Sequence, residues 1–213
     1  MDYSNEEYQS DLTNPDMPHI KTRDRFQSFY DQCAQGPAKD IQYFAQRMDW
    51  IVFGPQARII ELGCCSGHNV VEWLTRYPDV HVKAVDVSQG FIDETRRRVE
   101  AAGMGDRVLY HTGFIEDLTG TYTDVVLTET LEHVQDPLPV LRVAWSMVDE
   151  GGSLWITVPS IRVGTYSHVR GINPQELQEL LLDVGVKLSQ VKVLDKVSDP
   201  GTIFSTRCLA VKD

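Results

Sequence analysis

The sequence predicts an α/β protein built on a doubly wound sheet of seven strands, mostly parallel, with an antiparallel last strand and helices on both faces. From residue 57 onward, short apolar runs alternate with stretches of helical periodicity, the mark of consecutive strand–helix–strand units. The first run ends in a glycine-bearing turn, Gly63-Cys64-Cys65-Ser66-Gly67, where such sheets place a ligand. The last two runs have no helix between them, which requires an antiparallel finish. Together these features describe a Rossmann-like sheet.

In chain order, residues 1 to about 20 are polar, with Asn14, Pro15 and Pro18, and read as a loose tail. Between Phe26 and Val52, Ile41, Phe44, Ala45, Met48 and Val52 fall on one helical face, so a short helix and then a longer one are expected. Residues 1–52 thus form a tail and helical cap, read either as packing or as a lid over a site, ahead of a main domain at 53–213. Arg58 to Leu62 is the first strand and Val70 to Tyr77 the first helix of that domain. His81 to Val87 is a strand, and Ser88 opens a helix through Ala102 that stops at Gly103. Arg107 to His111 and Tyr122 to Thr128 are strands. Pro137 to Asp149 is expected to be helical up to Gly151-Gly152, with a strand from Ser153 to Val158. Asn173-Pro174 caps a helix running to Leu182–Gly185, and Val186 to Leu194 and Thr202 to Val211 are the closing strands.

The 213 residues suit one domain, and 42% hydrophobic with 24% charged is an ordinary globular balance. The net charge of −11 argues against a phosphate-backbone partner unless basic residues gather on one face. Arg96, Arg97 and Arg98 form a basic run, but on a helix they point in different directions. Cys33, Cys64, Cys65 and Cys208 show no C-x-x-C spacing, so neither a zinc knuckle nor a redox pair is read from them. The acidic start and the absence of an apolar run near 18 residues lead to the expectation of a soluble, cytoplasmic protein with no membrane span.

The turn at 63–67 can be tested by spacing. A dinucleotide fingerprint from Gly63 needs glycines at Cys65 and His68. A phosphate loop needs Gly at His68 and Lys at Asn69, and a nucleophile elbow needs Ser at Cys65. All three fail. What remains is a glycine turn that can pass close to a ligand lacking a pyrophosphate, with a helix N-terminus behind it. Asp86, ending the second strand, can accept hydrogen bonds from a ribose diol.

Four motifs then stand in order: Glu61-Leu62-Gly63-Cys64-x-Ser66-Gly67, Ala84-Val85-Asp86-Val87-Ser88, Thr128-Glu129-Thr130-Leu131-Glu132-His133, and the strand from Gly151-Gly152 to Pro159. From about residue 57 to 160 the chain resembles class I S-adenosylmethionine-dependent methyltransferases, and is similar to the ubiquinone-biosynthesis O-methyltransferase group. The resemblance implies that Glu61 lies by the methionine amino end and that Gly63, Cys64 and Gly67 line it by backbone. It implies that Asp86 takes the ribose hydroxyls and that Glu129 backs the cofactor. Where relatives read Gly-Asp-Ala, Gly113 is followed here by Phe114 and Ile115, which leaves the adenine to backbone groups or apolar packing. Cys65 replaces the middle glycine of the first turn.

At the end of the fourth strand, Glu129, Glu132 and His133 would project to one side if a helical turn began there. Such a set admits a divalent cation, and the E-x-x-E-H spelling resembles metal-assisted relatives in which a further histidine, here His168, completes the site. The reading does not favour the metal. His133 is instead the candidate general base, and Tyr166 and His168 are walls of the acceptor pocket. The expected activity is methyl transfer to an oxygen of a small molecule. Metal-dependent methylation of an RNA 3′ end and a non-catalytic cofactor-binding module are the alternatives.

Overall fold

The structure, a computed structural model, describes residues 22–35, 49–161, 168–198 and 204–213. The polar tail, Ile41, Phe44, Ala45, Met48 and Tyr166 lie outside the described residues. In chain order the helices are α1 (Arg23–Ala34), α2 (His68–Arg76), α3 (Gln89–Ala101), α4 (Pro137–Ser146) and α5 (Pro174–Asp183). The strands are β1 (Arg58–Leu62), β2 (His81–Asp86), β3 (Val108–Thr112), β4 (Tyr122–Thr128), β5 (Val148–Pro159), β6 (Val191–Ser198) and β7 (Phe204–Val211). The sheet order is β3-β2-β1-β4-β5-β7-β6, and β7 runs antiparallel to both of its neighbours while the other pairs are parallel. This is the doubly wound architecture that the alternation predicts.

The two-residue period of the strands sorts their side chains onto two cores. Ile60, Leu62, Val125, Leu127, Leu154, Ile156 and Val158 face one way, against α4 and α5. Ile59, Val126 and Trp155 face the other, packed with Val70 and Trp73 of α2 and with Ile92 and Val99 of α3. Both faces of the central strands are therefore dry, which is why adjacent apolar residues such as Ile59-Ile60 and Val125-Val126-Leu127 run through them. Helix starts are set by side chains: Ser88 caps α3, Asp136 caps α4, and Asn173 with Glu176 forms a capping box on α5.

Three expectations are corrected. The helical face through Val52 does not reach that residue, which is 62% exposed. Ile51 and Phe53 on either side turn inward, the latter against Trp73, so this stretch follows a period of two. The helix expected to reach Asp149 ends at Ser146, and β5 begins at Val148, running straight through Gly151-Gly152. These glycines are not a helix stop. Gly151 has φ +75°, and a Cβ on Gly152 would sit 2.7 Å from the Thr123 carbonyl, so the pair makes an irregularity in which β5 presses against β4. Finally, the strand expected from Val186 starts only at Val191, after a 3₁₀ turn at Leu188–Gln190.

Helix α1 buries none of its residues completely, and it is tied to the carboxyl ends of the strands. Arg23 pairs with Asp117 at 2.6 Å, Ser88 Oγ donates to Asp31 Oδ1 at 2.7 Å, and Phe26 meets Phe114 with ring centroids 6.2 Å apart. No helix among the described residues is long and apolar enough to cross a membrane.

Candidate active site

The turn after β1 is held by its own backbone. The N–H groups of Gly63 and Cys64 both donate to the Val85 carbonyl, at 2.9 and 2.8 Å. The N–H of Cys65 donates to Asp86 Oδ2 at 2.9 Å, and that of Gly67 to the Cys64 carbonyl at 3.0 Å. Gly63, Cys65 and Gly67 all have positive φ, at +87°, +48° and +75°. A Cβ on Gly63 would lie 2.6 Å from Thr130 Oγ1, and one on Gly67 2.5 Å from Thr95 Cγ2. On the side where a Cβ would stand, the space beside each glycine is filled by a threonine of the protein itself, so packing within the turn already requires glycine. Cys64, expected to line the site by backbone, has its N–H committed to β2 and its side chain buried by Thr95.

Asp86 closes β2 and accepts from the N–H groups of Cys65 and Ser88, each at 2.9 Å. Burial pushes its carboxyl up to about 6 against the pull of these bonds. A carboxylate has about four acceptor positions, so Asp86 can pin the turn and still receive a hydroxyl. Glu61 is wholly buried at the end of β1. Its Oε1 accepts from Asn69 Nδ2 at 2.7 Å and Thr128 Oγ1 at 3.1 Å, while Oε2 has no hydrogen-bond partner. Desolvation pushes this carboxyl up to about 8.

Beyond β3, the Phe114 ring is covered by α1, with the Arg23 guanidinium carbon 4.6 Å from the ring centroid. Ile115 opens a 3₁₀ turn and packs its side chain against the core on the α4 and α5 face. Beyond β4, Glu129 has φ +52°, so no helical turn begins there, and the turn that does form spans Leu131–His133. The expected grouping of Glu129 with Glu132 and His133 is therefore not made. Glu132, His133 and His168 come together instead, with one potential ligand atom of each within 4.8 Å of the others. A hydrogen bond from the Val169 N–H to the Glu132 carbonyl, 2.8 Å, carries His168 in. The carboxylate of Glu132 is fully buried, with Oε1 3.7 Å from His133 Nε2 and 3.9 Å from His168 Nε2. The two imidazoles meet edge to face at 4.8 Å, and the Tyr30 ring of α1 meets His133 edge to face at 5.8 Å.

The sequence reading missed Asn69, Thr128 and Tyr30. Asn69 is a polar residue one step into an amphipathic helix, directly after the glycine turn, and that placement is its only local signal. Arg97 and Arg98 pair with Glu94, and Arg96 lies over Tyr110, so the basic run is a solvated helix face.

Residues 59–152 match the family described as methyltransferase domain. A ubiquinone biosynthesis O-methyltransferase of Xanthomonas campestris pv. campestris (strain B100) is 30% identical over 132 residues, which are 58% of this chain and 54% of that protein. The chain thus matches about half the length of such curated relatives. Among solved structures, the [4+2]-cyclase SpnF superposes with a TM-score of 0.72 at 14% identity, covering 91% of this chain and 97% of that one. Magnesium protoporphyrin IX methyltransferase from Synechocystis PCC 6803, with bound S-adenosylhomocysteine, gives 0.62 at 15% identity, covering 88% and 83%. The structural likenesses establish the fold, and the sequence match within it is to methyltransferases. Over residues 59–152, then, this chain is similar to methyltransferase domains.

Proposed function

We propose that this protein binds S-adenosylmethionine at the carboxyl ends of β1 and β2 and methylates an oxygen of a small molecule. The observation that carries the reading is Glu61 Oε2, a buried carboxylate oxygen with no partner beside the glycine turn. An orphaned buried acceptor is costly, and an ammonium group such as that of the cofactor's methionine arm would satisfy it. Asp86 keeps acceptor capacity for the ribose diol, and Phe114, roofed by α1, offers an apolar wall for adenine. In this reading α1 is the lid. When bound, the sulfonium supplies both the methyl group and its leaving group. The protein's own work is to exclude water, hold the acceptor in line and take its proton. His133 is the residue this reading assigns to take that proton, and Glu132 beside it would stabilise the charge His133 acquires. The printed name of the Xanthomonas relative supports oxygen as the methylated atom, and the acidic net charge disfavours RNA as the acceptor.

Calorimetry with S-adenosylmethionine and S-adenosylhomocysteine tests this reading, which fails if neither binds. Asp86→Ala should weaken S-adenosylhomocysteine by about 1–3 kcal/mol, because it leaves both the ribose hydroxyls and the turn's N–H groups unpaired.

One observation favours a second reading. Glu132, His133 and His168 offer one carboxylate and two imidazoles, a donor set suited to a divalent transition metal or to magnesium with added waters. A cation there would orient substrate oxygens and lower a hydroxyl pKa, and His133 would then be a ligand, not a base. Under the first reading, methyl transfer survives exhaustive treatment with a chelator; under the second it is lost and returns with added metal.

A further inference from the structure

We propose that the Tyr30 hydroxyl donates a hydrogen bond to the carboxylate of the cofactor's amino-acid arm, an assignment that rests on the reading above. Among the described residues the hydroxyl is buried and has no hydrogen-bond partner. Its ring is fixed. Phe26 and Phe29 hold it at centroid distances of 4.8 and 5.2 Å, and His133 meets it edge to face. The next residue, Asp31, takes the hydrogen bond from Ser88, whose own N–H is bonded to Asp86, so α1 is latched with Tyr30 above the end of β2. A phenol held this way with an unsatisfied oxygen is costly, and a bound ligand would remove that cost.

Two arguments select the carboxylate. The first is an account of donors. The N–H groups of Gly63, Cys64, Cys65 and Gly67 are all spent inside the protein. A turn of this kind ordinarily offers such groups to an anion, so with these four spent an additional donor is called for. The second is protonation. A phenol carries a proton at neutral pH and can donate it to a carboxylate, which an ionised carboxyl cannot do. The other side chains on the cleft walls are carboxyls, of which Glu61 is taken up by the ammonium in this reading and Asp86 by the ribose and the turn. A neutral donor lowered from the lid can serve the anionic group, and its contact with the ligand would couple lid closure to the presence of the amino-acid arm.

Tyr30→Phe keeps the ring packing and removes only the donor. Binding is read by calorimetry with two probes: S-adenosylhomocysteine, and 5′-methylthioadenosine, which has the adenosine and sulfur but lacks the carboxylate. The expected result is about tenfold weaker binding of S-adenosylhomocysteine, with 5′-methylthioadenosine unchanged within about twofold and the melting temperature maintained. Equal weakening of both probes, or of neither, overturns the assignment. Failure of the wild-type protein to bind S-adenosylhomocysteine would instead refute the proposed function, so the two failures are distinguishable.

Discussion

Glu61→Gln should make the ligand-free protein more stable at pH 9 than the wild type, while weakening S-adenosylhomocysteine about a hundredfold. The carboxyl is pushed from 4.5 to about 8 in the folded chain by desolvation, which outweighs the bonds from Asn69 and Thr128. A folded-state pKa above the unfolded one means that the native state holds the extra proton between those limits, so stability falls as pH rises through this window. Below pH 4.5 the wild type bears no penalty; by about pH 8 the accumulated cost is on the order of a few kcal/mol. Glutamine retains an acceptor for Asn69 and Thr128 and does not ionise. Denaturant unfolding at pH 5 and pH 9 should show the advantage of the variant growing with pH, over a smaller background from Asp86, whose own window runs from 3.8 to about 6. Binding moves the opposite way, because the ammonium loses its charged partner, a hydrogen bond of the stronger class. A stability difference that does not change with pH would show that Glu61 does not titrate as described.

Gly63→Ala should lower stability by about 2–5 kcal/mol and the melting temperature by roughly 5–15 °C. Two costs add. The residue sits at φ +87°, where a Cβ is unfavourable by about 1–2 kcal/mol. The new methyl would also lie 2.6 Å from Thr130 Oγ1 and 3.0 Å from its Cγ2, and Thr130 is not free to retreat because its hydroxyl donates to the Leu62 carbonyl at 2.8 Å. Adding Thr130→Ala removes both close atoms, leaving its Cβ at an ordinary 3.4 Å. The double variant should therefore recover the steric share of the loss and retain the backbone share, a coupling that a double-mutant cycle reads directly. If Gly63→Ala proved as stable as the wild type yet failed to bind S-adenosylhomocysteine, the glycine would be there for the ligand and not for Thr130.

The parts of the fold legible in the sequence were those fixed by neighbours along the chain. Arg58–Leu62 and Tyr122–Thr128 have the predicted bounds because central strands buried on both faces carry adjacent apolar residues, Ile59-Ile60 and Val125-Val126-Leu127. Ser88 and Asn173 announce their helices because a capping side chain acts within three residues. What was not legible depends on distant partners. Gly151-Gly152 reads locally as a helix stop, and only the approach of Thr123 shows why the glycines are needed inside a strand. Glu129 seemed the natural companion of Glu132 and His133 by spacing, but a left-handed backbone at Glu129 and a hydrogen bond from Val169 exchange it for His168. Tyr30 carries no sequence signal, since the role proposed for it depends on α1 meeting Ser88, Phe114 and His133, all distant along the chain.

The position of β7 has a consequence for biogenesis. It is translated after both of its neighbours, yet it lies between them, with β5 on one side and β6 on the other. While the nascent polypeptide is leaving the ribosome, β6 has no neighbour to join, and the rim of β5 is open to any passing strand. The seam closes only when Phe204–Val211 emerges and inserts between them, making two antiparallel ladders in one step. Late, long-range pairing of this kind slows maturation and lengthens exposure to aggregation.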